Sequence, residues 1–330
     1  MDLAISSSRP RCRTLAPLMM AMAMMLAGCS NAAERDTPEA TGAAGETVDG
    51  ADPAWVEKVE AFRAKHEADY RRDWVSIAGL HFLAQGRHTV GSALENDIVV
   101  VAGLPDTIGE LHVAGSAITF HAAPGVEVRR EGVPVSGPVV MKEEGQPPAP
   151  EITIGEVRLV AHVSGERLAL RVRDPHGPLA RDFRGFTWFP IDPAYRVVGR
   201  FIRDAEPRTV AVQNTFGDLD RYTTEGVIEF TLQGQTLRLR PFTTRPNRFY
   251  IVFRDASAGD ETYETARFLY ADLREDGTTV LDFNEAYNPP CAFNPYTTCP
   301  IPLKENILPV EILAGEKAYP VHVSIPEPPR

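Results

Sequence analysis

The chain has 330 residues, 43% of them hydrophobic and 24% charged, with a formal net charge of −11. Its length allows two domains of ordinary size. A chain this acidic is repelled by nucleic-acid phosphates, so DNA and RNA are set aside as partners.

The amino terminus reads as an export signal. Arg9, Arg11 and Arg13 form a positive stretch, and Leu15 to Leu26 an apolar one. That apolar stretch is too short for a membrane span of roughly 20 residues and suits a signal peptide over residues 1–28. It closes on Leu26-Ala27-Gly28-Cys29, which resembles the lipobox of bacterial lipoproteins. The resemblance implies cleavage before Cys29 and lipidation of its thiol, which is the membrane partner expected here. A cleaved signal with a chance cysteine is the alternative. Two or three acyl chains anchor stably where one does not. Ser30, in place of the Asp that holds such proteins at the inner membrane, implies the periplasmic side of the outer membrane. Cleavage removes three Arg and one Asp, so the charge falls from −11 to −13. Residues 29–50 hold almost no large apolar side chains and read as a flexible tether.

Next comes a helix. Asp52 is placed as N-cap and Pro53 as the first helical residue. Trp55, Val59, Phe62 and His66 recur at i, i+4, i+7 and i+11, with Val56 and Tyr70 nearby, which gives one apolar stripe. His66 is read as an edge or core residue.

Strands follow at 86–92, 96–101, 110–115, 117–122, 126–132, 156–165 and 167–174. They are short, β-branched and punctuated by glycine, which predicts a sandwich after the helix over 51–180. Residues 141–151 form a polar, proline-rich excursion. A second set lies at 195–201, 208–214, 227–233, 236–242, 248–254, 265–272 and 279–283. The alternation Leu237-Arg238-Leu239-Arg240 gives one buried face and one wet face. An antiparallel, barrel-like domain over 181–330 is predicted. Six of the 23 residues in 287–309 are proline, so that run is a shaped loop. A last strand is expected over 306–317. The fold class is therefore mainly β: an N-terminal helix, a sandwich, then an antiparallel barrel-like domain.

Two resemblances add to this. Gly91, Asn96, Asp97 and Ile98 resemble a run of the forkhead-associated domain, a β-sandwich that binds phosphothreonine. Ser92 stands where that domain has arginine, and its Ser-x-x-His is missing from 104–113. Phosphate recognition needs the arginine, so the likeness supports a sandwich and not phosphopeptide binding. Residues 74–92, 183–201, 262–272 and above all 281–317, "LDFNEAYNPPCAFNPYTTCPIPLKENILPVEILAGEK", resemble the bacterial domain-of-unknown-function family 1684 (DUF1684). That resemblance brings no activity. It implies that Tyr263, Arg267, Asp282, Asn284, Tyr287, Asn288, Cys291, Cys299, Glu305, Asn306, Gly315 and Glu316 belong to one shared feature.

Cys291 and Cys299, eight apart in an oxidising compartment, are expected to form a disulfide. Two buried free thiols and a metal-bound or catalytic thiol are the alternatives. If the strands carrying Arg267 and Asp282 pair, then Tyr263, Arg267, Asp282 and Asn284 form a polar pocket at the barrel mouth. Asn288, Glu305 and Asn306 of the proline-rich loop fold over it. Such a pocket would grip an anionic or carbonyl group. The bland alternative is that these side chains satisfy the loop's own backbone. No Gly-x-Ser-x-Gly, His-Glu-x-x-His or phosphate loop occurs, so catalytic residues stay unknown and neither metal nor cofactor is expected. His81, His88, His112, His121 and His162 lack ligand spacing. Residues 217–226 carry Asp218, Asp220 and Glu225 but lack the third acid and central glycine of a calcium loop, and read as a solvated turn. Asp282 and Glu285 are candidates for acid–base work but face opposite ways on a continued strand. The function expected is a binding or scaffold module for a small polar ligand or an envelope protein. The alternative is an enzyme of unknown reaction around Arg267, Asp282 and Asn284.

Overall fold

The computed structural model describes residues 52–100, 103–141 and 151–321. Cys29, the signal peptide, the tether and most of the 141–151 excursion lie outside the described residues.

Helix α1 (Pro53–Tyr70) starts as its sequence dictates. Asp52 Oδ1 accepts from the Ala54 N–H at 3.0 Å, which satisfies one of the free donors of the first turn. Trp55, Val59, His66 and Tyr70 are its buried face. A π-turn over Arg71–Val75 delivers the chain to the sheets.

The first sandwich contains β1 (Ile77–Phe82), β2 (Gly86–Gly91), β3 (Ile98–Val99), β4 (Gly109–Ala114), β5 (Ala117–Ala122), β6 (Val128–Arg130), β7 (Val133–Val135), β8 (Val139–Met141), β9 (Ile152–Ile154), β10 (Val157–Ser164) and β11 (Arg167–Arg173). One sheet runs β1-β11-β10-β9-β6-β7 and the other β3-β2-β4-β5-β8. Every pair is antiparallel except β2–β3. Alternate residues such as Leu111, Ile118, Phe120, Leu159 and Leu170 point into the shared core. The forkhead-like run is spent on a loop. Asn96 Nδ2 donates to the carbonyls of Ala93 and Asp106, and Asp97 Oδ2 accepts from Thr89 N and Oγ1.

After a short helix α2 (Pro178–Asp182) come β12 (Arg196–Gln213), β13 (Leu219–Leu232), β14 (Gln235–Leu239), β15 (Phe242–Arg245), β16 (Arg248–Phe253), β17 (Arg267–Asp272) and β18 (Thr278–Asp282). They form two antiparallel sheets, β14-β13-β12-β18 and β15-β16-β17, and among the described residues no closed barrel. Phe201, Ile228, Phe230, Phe249, Ile251, Phe253 and Leu281 fill the space between them. The strands expected at 195–201 and 208–214 are one strand, with an irregularity between Arg203 and Arg208. β13 begins at Leu219, well before the expected 227. β18 pairs only with Arg196–Arg200, and β14 only with Ile228–Leu232, so the far half of the β12–β13 hairpin is a two-stranded ribbon.

Residues 306–317 are not a strand. Pro309 has no N–H to offer, and among the described residues the segment makes only isolated bridges, Ile307 to Arg254 and Glu316 to Trp188, with bonds Leu308 N to Arg254 O and Ala256 N to Val310 O beside the first. It runs as an extended strap held largely by side chains.

A third core lies outside the second sandwich. Phe242, Tyr250, Val252 and Phe268 leave the β15-β16-β17 sheet on the face away from its partner sheet. Tyr70 of α1 and Cys291, Phe293 and Cys299 of the proline-rich loop cover them. That is why the loop is stiff: it is a core layer with one shape to keep.

Candidate functional site

The expected pocket divides into separate clasps, because β17 and β18 belong to different sheets. Arg267 is 1% exposed. Its Nη2 donates to Asp255 Oδ1 at 2.8 Å and to the Ile312 carbonyl at 2.9 Å, and its Nη1 to the Ala314 carbonyl at 2.5 Å. Burial pulls the guanidinium below its ordinary pKa, and Asp255 works against that. Asp255 Oδ2 accepts from Ser257 and from the Ile312 N–H. The pair therefore ties down the strap.

Asp282 stands in a second clasp. It accepts from Trp55 Nε1 at 2.6 Å and from both nitrogens of Asn284, with Arg196 Nε at 3.4 Å. Asn284 exchanges two bonds with the Asp192 backbone, at 2.9 Å each. Glu285 salt-bridges Lys58 on α1 at 3.6 Å, and burial raises its pKa.

The proline-rich loop is riveted by three asparagines. Asn288 N and Nδ2 donate to the two oxygens of Glu316, and Nδ2 also to the Lys317 carbonyl. Asn294 Nδ2 donates to the carbonyls of Trp74 and Ile77. Asn306 bonds both backbone groups of Arg240 and the Val252 carbonyl. Glu305 takes Arg240 Nε at 2.7 Å. Tyr263 directs its hydroxyl at the Cys291 carbonyl at 3.5 Å, and burial raises its pKa.

The expected disulfide is absent. Cys291 and Cys299 are buried free thiols, and the Cys291 N–H donates to Cys299 Sγ at 3.4 Å. The asparagine rivets hold the loop without a covalent bridge. Burial pushes the Cys291 thiol up. Cys299 is buried too, but the Cys291 thiol and N–H draw it below its ordinary value.

An open groove of about 830 Å³ lies between the sandwiches. One wall is the β10–β11 tip, from Val163 to Arg167. The other is Ala211 of β12 with Gly217–Tyr222. A polar lock joins the walls. Asp218 accepts from Ser164 Oγ at 2.6 Å and from Arg167 at 2.8 and 2.7 Å. Burial raises the Asp218 pKa, but these bonds outweigh it and leave the carboxyl below its usual value. Asp220 accepts from the Gly165 N–H at 3.0 Å, and Asn214 Nδ2 bonds both Ser164 Oγ and Asp220. The run expected to be a solvated turn is therefore a joint. Its paired acids were visible in the sequence, but nothing there showed that a distant hairpin tip would meet them. Asn214, Asn294, Arg240 and Asp255 were likewise missed as clasp residues, since their partners lie far away in sequence.

Residues 181–317 match the family described as "Protein of unknown function (DUF1684)". The DUF1684 segment spans the second sandwich, the proline-rich loop and the strap. The chain is similar to the solution NMR structure of an uncharacterised protein of Haloarcula marismortui, with 31% identity over 44% of this chain and 82% of that one, at a TM-score of 0.36. It is also similar to the cytoplasmic domain of the type III secretion sorting-platform protein PscD of P. aeruginosa, with 20% identity over 30% of this chain and 83% of that one, at a TM-score of 0.20. No curated protein matches the chain.

Glu316, one residue before the end of the matched segment, is a buried carboxyl that receives Asn288 of the proline-rich loop. It is 1% exposed, and burial raises its pKa despite the Asn288 donors and His66, whose Nε2 lies 3.7 Å away. The folded state therefore holds a proton on Glu316 at pH values where the unfolded carboxyl, near 4.5, has lost it. By linkage its contribution to stability falls as pH rises above about 4.5 toward the raised folded value. Glu316→Gln removes that term. Urea unfolding between pH 4.5 and 7 should show the stability of wild type relative to Glu316→Gln declining with pH, and a difference that rises would contradict the assignment.

Proposed function

We propose that this chain is a cell-envelope lipoprotein, anchored through Cys29 on the periplasmic side of the outer membrane, that binds a small polar ligand. The region over 51–180 is a forkhead-associated-like sandwich without the phosphothreonine arginine, and 181–330 is a second β-domain that supplies the other half of the binding face. The observation that carries the reading is the division of polar side chains. Arg267, Asp282, Asn284, Asn288 and Asn306 are spent on backbone and partner groups. Glu166 and Arg221, in the groove, have no ion pair or side-chain hydrogen bond among the described residues. A cleft of this size at a junction of two sandwiches is a common setting for a small ligand. The enzyme alternative around Arg267, Asp282 and Asn284 is the less favoured reading, because these three side chains are buried and hydrogen-bonded within the fold.

Hydrogen–deuterium exchange on the full chain tests the reading, with and without the small-molecule fraction of a bacterial envelope extract. Protection is expected at 163–167 and 217–222. Protection confined to 287–309 would move the site to the loop, and none at all would defeat the binding reading. Expressed in a bacterium that lipidates such signals, wild type should partition into detergent and Cys29→Ala should not.

A further inference from the structure

Glu166 and Arg221 meet the groove from different walls, and the fold uses neither. Glu166 follows Gly165 at the β10–β11 tip, where the Gly165 φ of +58° makes the tight turn and Asp220 fixes the Gly165 N–H. Arg221 stands on β13 opposite Ala211 of β12, whose small side chain leaves room above the ribbon. Both side chains are exposed. The other charges in the lining are engaged: Arg167 with Asp218, and Asp220 with Gly165 and Asn214. Arg167 is also packed flat on Phe82, its Cζ 3.5 Å from the ring centroid, so it cannot swing toward a ligand cheaply.

The sign of the lining then selects the ligand. A simple anion at Arg221 would face Glu166, Asp218 and Asp220 across the same cleft. A simple cation at Glu166 would face Arg221. A molecule with one charge of each sign is attracted at both ends, and in a part-enclosed groove each attraction is stronger than on open surface. The planar guanidinium of Arg221 suits a carboxylate, and the Glu166 carboxylate suits an ammonium. Leu219, 60% exposed, and Val163 add apolar surface to the lining. The volume admits several residues.

We infer that the groove binds a short peptide with free termini, its ammonium group on Glu166 and its carboxylate on Arg221. This rests on the groove being the ligand site, as proposed above.

Calorimetric titration of the full chain with trialanine, N-acetyl-trialanine and trialanine amide tests it. Trialanine should bind, and each blocked form should bind at least tenfold more weakly. Glu166→Gln should cost the free peptide about tenfold and leave the acetylated one unchanged. Arg221→Gln should do the same with respect to the amide. Ala211→Trp, which fills the groove from an exposed position, should abolish all binding. Equal affinity for the three peptides, lost only in Ala211→Trp, would overturn the ligand class while the groove reading stood. Binding unaffected by Ala211→Trp would overturn both, and no binding of trialanine at millimolar concentration would overturn the ligand class.

Discussion

Replacing Arg267 with alanine is expected to lower the unfolding free energy by about 3–5 kcal/mol, the usual cost of removing one partner of a buried ion pair. The argument rests on what is left behind. Asp255 would be left at 3% exposure without its cation, with only Ser257 and the Ile312 N–H as donors. The carbonyls of Ile312 and Ala314 would lose the guanidinium that satisfies them, and both residues are fully buried. The strap would then lose its central attachment. At about 2–4 °C per kcal/mol for a chain of this size, the melting temperature should fall by roughly 10 °C. Chemical denaturation followed by circular dichroism measures the change. Lysine at 267 should rescue little, because one ammonium cannot reach Asp255 and two carbonyls in the fork geometry. Asp255→Ala should cost nearly as much as Arg267→Ala, and the double variant clearly less than their sum. Additive losses would mean that the two side chains act independently, contrary to the 2.8 Å contact between them.

The elements that local chemistry determines were legible in the sequence. Asp52 and Pro53 placed the start of α1, and alternation placed β5, β11, β16 and β18 to within a residue or two. The features that escaped depend on distant partners. The segment 306–317 has a strand-like composition, yet its carbonyls go to Arg267 and its amides to Asp255 and Arg254, so no ladder forms. β1 (Ile-Ala-Gly-Leu-His-Phe) carries a central glycine and no polar–apolar alternation, and it becomes a strand because β11 offers it an edge. The candidate residues sit in separate clasps, Arg267 with Asp255, Asp282 with Asn284 and Asn288 with Glu316. Their pooling into one pocket assumed that β17 and β18 pair, and alternation cannot tell which sheet a strand joins. The groove was illegible for the same reason. Glu166 and Arg221 are ordinary surface charges until the Ser164–Asp218 and Gly165–Asp220 bonds bring a hairpin tip of one sandwich onto the ribbon of the other.

Gly315→Ala is the second large effect expected, and it isolates a backbone contact. Gly315 has φ +80°, where an L side chain alone costs about 1 kcal/mol. Its position adds more. A Cβ there would stand 2.4 Å from the Ala286 carbonyl oxygen, 2.7 Å from that of Phe283 and 3.0 Å from Ala286 Cβ. None of these atoms is the end of a flexible side chain. The Phe283–Glu285 turn is held by Asn284 to Asp192 and Asp282, and the Glu316 N–H donates to the same Ala286 carbonyl at 2.8 Å. Relief must come from lifting the strap, which breaks the Glu316 and Phe189 bonds on either side. The total should reach about 3–5 kcal/mol, an overpacking cost on top of the dihedral one. Gly277 supplies the control. Its φ is +81°, but nothing lies within 4 Å of a Cβ built on it. Gly277→Ala should therefore cost only about 1 kcal/mol. Urea unfolding of the two variants measures the difference directly. Equal losses would mean that only the dihedral matters and that the strap can move away from the Phe283–Glu285 turn at little cost. A much larger loss at 315, with new proteolytic cleavage in 307–321, would place the strap's seat on that turn among the strongest restraints on the second sandwich.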